Sequence, residues 1–99
     1  MSVKTPVVNK QNYTMYLELF QDMLWFHTDV YKWSQEVKKD YLKDLDALQD
    51  LVGVPLVALV EEENIKLSKF GEVTGWKVMN KLNLNNGKVG LVYTRSRNG

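Results

Sequence analysis

His27 is the single histidine of the chain, and an imidazole is the side chain whose ordinary pKa best suits a general base or acid near neutral pH. Asp29 lies two residues on, and if this segment is a strand the two side chains share a face. They are the candidate catalytic residues, with Asp29 as the group that could orient the imidazole. A packing or surface position is the commoner use of an isolated histidine. Glu61, Glu62 and Glu63 form a second candidate, an acidic run that could receive a cation, although such runs are more often solvated loops. Trp25, Trp33 and Trp76 could stack on a ligand, but core packing is the likelier fate of aromatics in general. Lys38, Lys39 and Lys43 could meet phosphates, yet Asp40 and Asp44 interleave them as on a solvated helix face.

The elements that must position these groups can be read from periodicity. Residues 1–12 are polar, contain Pro6, and are expected to form a loose or edge-hugging arm. Tyr13 to Phe20 fits a helix through Tyr13, Tyr16, Leu17 and Phe20, and a strand through Met15, Leu17 and Leu19; helix is the expectation. Met23 to Tyr31 is a strand, with Leu24, Phe26, Thr28 and Val30 on one face and Trp25, His27, Asp29 and Tyr31 on the other. Ser34 is a natural N-cap, with Glu36 in the first turn of the helix it opens. Val37, Tyr41, Leu45, Leu48 and Val52 then recur at helical spacing, widened by Leu42 and Leu51, until Gly53 stops the helix.

Leu56 to Val60 has no polar alternation, as a strand buried on both faces of a parallel sheet requires. A second helix runs from about Asn64 to Thr74, with Ile65, Phe70 and Val73 on one face and Gly75 at its end. Trp76, Val78, Leu82 and Leu84 alternate with Lys77, Met79, Lys81 and Asn83 and predict a half-buried strand. Asn86-Gly87 predicts a type I′ turn before a closing strand, Val89 to Thr94. The expected fold is a small α/β domain over 1–99, its core in 13–99, with a mixed sheet, two helices and a C-terminal hairpin.

Net charge is +1, and 11 of the 13 bases are lysines scattered among acids, so no polyanion partner such as nucleic acid is expected. The two arginines, Arg95 and Arg97, sit in what reads as a tail. No stretch approaches the roughly 20 apolar residues of a membrane span. The N-terminus lacks the apolar core of a signal peptide, which makes the cytoplasm the expected compartment. Zero cysteines exclude disulfides, thiolate metal sites and a cysteine nucleophile, and no metal is expected.

The order of elements from Met23 to Thr94, and the spacing of Asn64, Phe70, Gly75 and Trp76, resemble the C-terminal half of the acyl-CoA N-acyltransferase (GNAT) superfamily. The turn Asp29-Val30-Tyr31-Lys32-Trp33-Ser34 is similar to that of bacteriophage-encoded half-domain relatives. Residues 1–22 are too short for the first strands and two helices of the full family fold, so a truncated member is expected.

The resemblance implies acetyl-CoA as cofactor and a small-molecule or protein amine as acceptor. It assigns Ser34, Gln35, Glu36, Val37 and Asn64 to cofactor binding, and sets His27 and Asp29 on the strand bordering the acyl site. In the family the pyrophosphate rests on backbone N–H groups of a Gln/Arg-x-x-Gly-x-Gly/Ala loop at a helix N-terminus. Here Gln35 aligns with the Gln/Arg position, but Glu36 and Lys38 fall where the glycines would be. Gly71 stands where active members often carry a tyrosine acid, with Tyr41 and Tyr93 elsewhere in the pattern. An acetyl-CoA-dependent N-acetyltransferase and a non-catalytic interaction or assembly module on the same scaffold are therefore the two expected functions. A homodimer is expected as well, because the unpaired edge of Met23 to Tyr31 would need covering by Tyr13 to Phe20 or by a second copy.

Overall fold

The computed structural model describes residues 3–97. Six strands and two helices follow one another as β1 (Thr5–Asn9), β2 (Tyr13–Phe20), β3 (Met23–Val30), α1 (Gln35–Val52), β4 (Leu56–Glu61), α2 (Ile65–Val73), β5 (Lys77–Asn83) and β6 (Val89–Arg95). One mixed sheet contains all six strands in the order β1-β2-β3-β4-β6-β5. Only β3 and β4 are parallel, joined through the α1 crossover; every other neighbouring pair is antiparallel. The expected α/β class, mixed sheet, helix pair and final hairpin are all present.

The N-terminal third differs from its expectation. Tyr13–Phe20 is a strand, paired with β3 along its whole length from Tyr13 opposite Val30 to Phe20 opposite Met23. Helical spacing lost to pairing because the connecting Gln21 and Asp22 take φ of 53° and 62°, the positive values of a two-residue hairpin turn that directs the chain straight back. Neither residue announces that turn as glycine would. Within the arm, Thr5–Asn9 is a strand added to β2, with a register shift between Pro6 and Val8. An edge strand tolerates Pro6, since its missing N–H need not face a neighbour. With β2 in place, the β3 edge is covered from within the chain, which removes the reason given for a second copy; the outer edges of the sheet are β1 and β5.

The helices start and stop as the sequence indicates. Ser34 Oγ accepts from Val37 N at 3.1 Å, and Gly53 closes α1 at φ 70°, its N–H donating to Gln49 O. Val37, Tyr41, Leu45 and Leu48 are buried, whereas Leu51 is 83% exposed and lies outside the stripe. Asn64 Oδ1 caps α2 by accepting from Leu67 N at 3.2 Å. Of the apolar residues expected to seat α2, Phe70 packs on the core while Ile65 and Val73 are exposed, so this short helix is held mainly by one aromatic.

The C-terminal hairpin also departs in detail. β5 is exposed along its length, not half-buried, because it is the outermost strand and its register shifts between Val78 and Asn80. Asn86 does not adopt positive φ; Gly87 alone does, at 82°, and its N–H donates to Leu84 O at 3.0 Å. The connection is therefore a longer turn finished by a left-handed glycine, not the two-residue type I′ turn. β4 is buried at Leu56, Val57 and Val60 but shows Leu59 to solvent. The core joins Tyr13, Met15 and Phe26 of the meander to Tyr41 and Leu45 of α1 and to Leu56, Trp76 and Tyr93 beyond. Among the described residues no helix is long and apolar enough to cross a membrane.

Arg95 is an integral part of this packing, not of a tail. Its side chain is 8% exposed, donates through Nε to Thr74 O at 2.8 Å, and pairs through Nη2 with Asp46 Oδ1 at 2.7 Å. β6, the end of α2 and the middle of α1 are thereby tied together. Arg97 lies near Asp46 and Asp50, at 3.4 and 3.5 Å.

A candidate functional site between the parallel strands

β3 and β4 are in register at a single residue pair, Trp25 with Val57. Beyond that pair the ladder is not continued, so the facing edges of residues 27–30 and 59–61 present backbone groups to a gap. Buried backbone donors and acceptors seek partners, and an open strand edge is a template for an extended chain. A cavity of about 210 Å³ occupies this gap, lined by His27, Thr28 and Asp29 of β3, Ala58 to Val60 of β4, Phe70 and Gly71 of α2, and Tyr41 from beneath. A wider one of about 650 Å³ adjoins it and shares Thr28, Leu67 and Phe70. Its far wall is formed by Tyr31, Lys32 and Trp33 ahead of α1 and by Asn64, Lys66 and Lys69 of α2. Polar groups (His27, Asp29) and aromatic ones (Phe26, Phe70, Trp76) both line the narrower cavity, and three lysines line the wider one.

His27 lies on the inner wall, as expected of a residue on this strand. Its partner is not Asp29. His27 Nε2 lies 2.8 Å from Glu18 Oε1, across the hairpin, while Asp29 Oδ2 accepts from Tyr16 Oη at 2.8 Å. The register explains both contacts: Tyr16 stands directly opposite His27, and Glu18 and Asp29 are its diagonal neighbours or those of Tyr16. Alternation along β3 could identify Asp29 only, because Glu18 becomes a neighbour once β2 is a strand with a known turn. The hydrogen bond to Asp29 is the main reason the Tyr16 phenol is pushed up to about 12.

The expected cofactor residues are less gathered. Ser34 is occupied as the α1 cap, Val37 is buried in the core, and Gln35 and Glu36 are exposed in the first turn without lining either cavity. Asn64 does line the outer cavity while capping α2. The residues missed by sequence reasoning are Glu18, Lys32, Lys66, Lys69 and Tyr41. Tyr41 is completely buried and its hydroxyl has no partner in hydrogen-bonding geometry, the adjacent Thr28 hydroxyl donating instead to Thr14 O at 2.9 Å. Burial pushes this phenol up to about 12, opposed in part by Thr28 and Arg95. Its place in the α1 stripe gave only a core reading. Gly71 has room for a Cβ, which would meet Trp76 Cβ at 3.7 Å, an ordinary contact.

No protein-family model and no curated protein matches the sequence. Among solved structures the chain is similar to a Bordetella pertussis protein assigned to the GnaT-family acetyltransferases, with a TM-score of 0.68 and 14% identity. The superposition covers 92% of this chain and 61% of that one, so the chain spans about three fifths of the length of the protein it matches. At this identity the likeness is one of fold. The chain has a GNAT-like α/β fold in part, with the splayed parallel pair at its centre.

Proposed function

We propose that the cleft binds an acyl-CoA thioester and transfers its acyl group to an amine. The observation that carries this reading is the gap between β3 and β4, which sets a carboxylate-paired imidazole beside unpaired strand edges. An extended chain containing amides, such as pantetheine, is what those edges would pair with. Lys32, Lys66 and Lys69 suit phosphates at the outer end. The first turn of α1 suits them less, because Glu36 adds negative charge and no glycine admits close approach. Phosphate binding in this reading falls to the lysines.

Bound acyl-CoA supplies the activated carbonyl. His27 removes a proton from the attacking amine, and Glu18 holds the ring and stabilises the imidazolium that results. Tyr41 is the unpartnered hydroxyl of the cleft, kept protonated by burial, and is the candidate donor to the departing thiolate. The test is to titrate acetyl-CoA to millimolar levels while following thermal unfolding, then to follow thiol release with a panel of amines. A rise in melting temperature and an amine-dependent release abolished by His27→Gln are expected. No shift and no release would overturn the proposal.

A second reading, a non-catalytic interaction or assembly module, is favoured by Gly71 and Glu36, which withhold a hydroxyl and oppose an anion where the chemistry would use them. It predicts no shift with acetyl-CoA.

A further inference from the structure

Lys4 reaches the inner cavity from the side of the meander. It immediately precedes β1, whose Thr5 and Pro6 pair with Leu17 and Tyr16 of β2. Its Nζ stands 5.9 Å from the centroid of the Tyr16 ring, within the range of a cation–π contact. Tyr16 is the direct cross-strand partner of His27, so their Cβ atoms are about 5 Å apart on one face. The Tyr16 hydroxyl in turn is bound to Asp29. Lys4, Tyr16, His27 and Asp29 all line the same cavity, whereas Lys32, Lys66 and Lys69 line the outer one. A primary amine is thus held over an aromatic ring whose cross-strand neighbour is an imidazole and whose hydroxyl binds a carboxylate, in the cavity where an acceptor amine would have to arrive.

We infer that Lys4 is an internal acyl acceptor: the protein acylates the Nζ of its own Lys4. This rests on the reading of the cleft as an acyl-CoA site. The ammonium first releases one proton to solvent. The neutral amine attacks the thioester carbonyl, giving its second proton to His27 as the C–N bond forms. The C–S bond then breaks and the thiolate takes up a proton, leaving Nε-acyl-Lys4 and free CoA. Atoms balance with the thioester as the single co-substrate. Acylation also removes the positive charge over Tyr16, so the modified cleft differs in electrostatics from the unmodified one.

The experiment incubates the full chain with acetyl-CoA and follows acetylation of each lysine by peptide mass spectrometry over time. Lys4 should be labelled on the order of 100-fold faster than the half-buried Lys38 and the exposed Lys39, the enhancement a positioned base supplies. Its rate should be independent of protein concentration, and His27→Gln should bring Lys4 down to the rate of Lys38. Lys4→Arg should abolish the fast phase while keeping the charge. If acetyl-CoA raises the melting temperature but Lys4 is labelled no faster than Lys38, or at a rate proportional to protein concentration, the inference is overturned and the acyl-CoA reading stands. If acetyl-CoA produces no shift, the acyl-CoA reading itself fails and this inference fails with it.

Discussion

Replacing Tyr41 with phenylalanine should make the protein more stable and a poorer catalyst. The ring would stay where it is, because its neighbours contact the ring and not the hydroxyl: Tyr13 at 5.0 Å, Phe70 at 5.4 Å and Trp33 at 5.6 Å between centroids, all edge-on. The change removes one buried oxygen that has no partner in hydrogen-bonding geometry. Leaving such a group unpaired costs about 1–3 kcal/mol, so Tyr41→Phe should recover at least ~1 kcal/mol. In a domain of this size ~1 kcal/mol corresponds to a rise of roughly 4–8 °C in Tm. Chemical denaturation with unchanged m-value would establish that the gain is in stability and not in the unfolded state. If the hydroxyl protonates the thiolate, thiol release from acetyl-CoA should fall by roughly 100-fold or more, and a thioester with a more acidic thiol should lose less. A stability loss greater than ~1 kcal/mol would refute the argument, since it would mean that the hydroxyl is satisfied, with Thr28 the nearest group able to do it.

The remaining predictions use the same contacts. Glu18→Gln keeps the shape of the side chain but removes the charge opposite His27. Thiol release should drop by roughly 10- to 100-fold, because the ring loses the carboxylate that holds it; an unchanged rate would exclude Glu18 as the orienting group. Asp46→Ala leaves the guanidinium of Arg95, 8% exposed, without its carboxylate, and should cost about 2 kcal/mol in denaturant titrations; a loss below ~0.5 kcal/mol would mean that the bond to Thr74 O suffices. Tyr41 is raised from an ordinary 10.0 to about 12 by burial, and Tyr13 is raised further by burial and its bond to Asp44. A phenol raised in the folded state contributes stability that is complete below pH 10 and is lost as pH climbs towards 12, so thermal scans should show a steep alkaline fall in that window, shallower in Tyr41→Phe.

Much of the fold from Met23 onward was legible because its signals are local. Ser34 and Gly53 bracket α1, Asn64 caps α2, and the unbroken apolar run from Leu56 places a strand deep in the sheet. Tyr13–Phe20 was not legible for the opposite reason. Its side chains satisfy two periodicities, and the choice is made by eight cross-strand pairs and by a turn whose residues carry no glycine. Ile65, Val73 and Leu82 were misplaced because an apolar residue at the right spacing is buried only if another layer covers it, and among the described residues no such layer covers the far side of α2 or β5.

The site was less legible than the fold, and the reason lies in which residues become neighbours. Sequence spacing finds partners along one strand, and along β3 it offers Asp29 to His27. A hairpin creates diagonal neighbours that no spacing rule contains, and these give the imidazole to Glu18 and leave Asp29 to Tyr16. The exchange alters the chemistry. Asp29 beside the imidazole would have competed with Tyr16 for a single carboxylate, whereas the observed pairing gives each group its own. One carboxylate can then support a cationic imidazolium while the other anchors a phenol whose ring carries the Lys4 ammonium. That division, an imidazole paired with one carboxylate and an ammonium over a phenol bound to another, is what the proposed amine acylation would use, and it exists only because Tyr13–Phe20 is a strand.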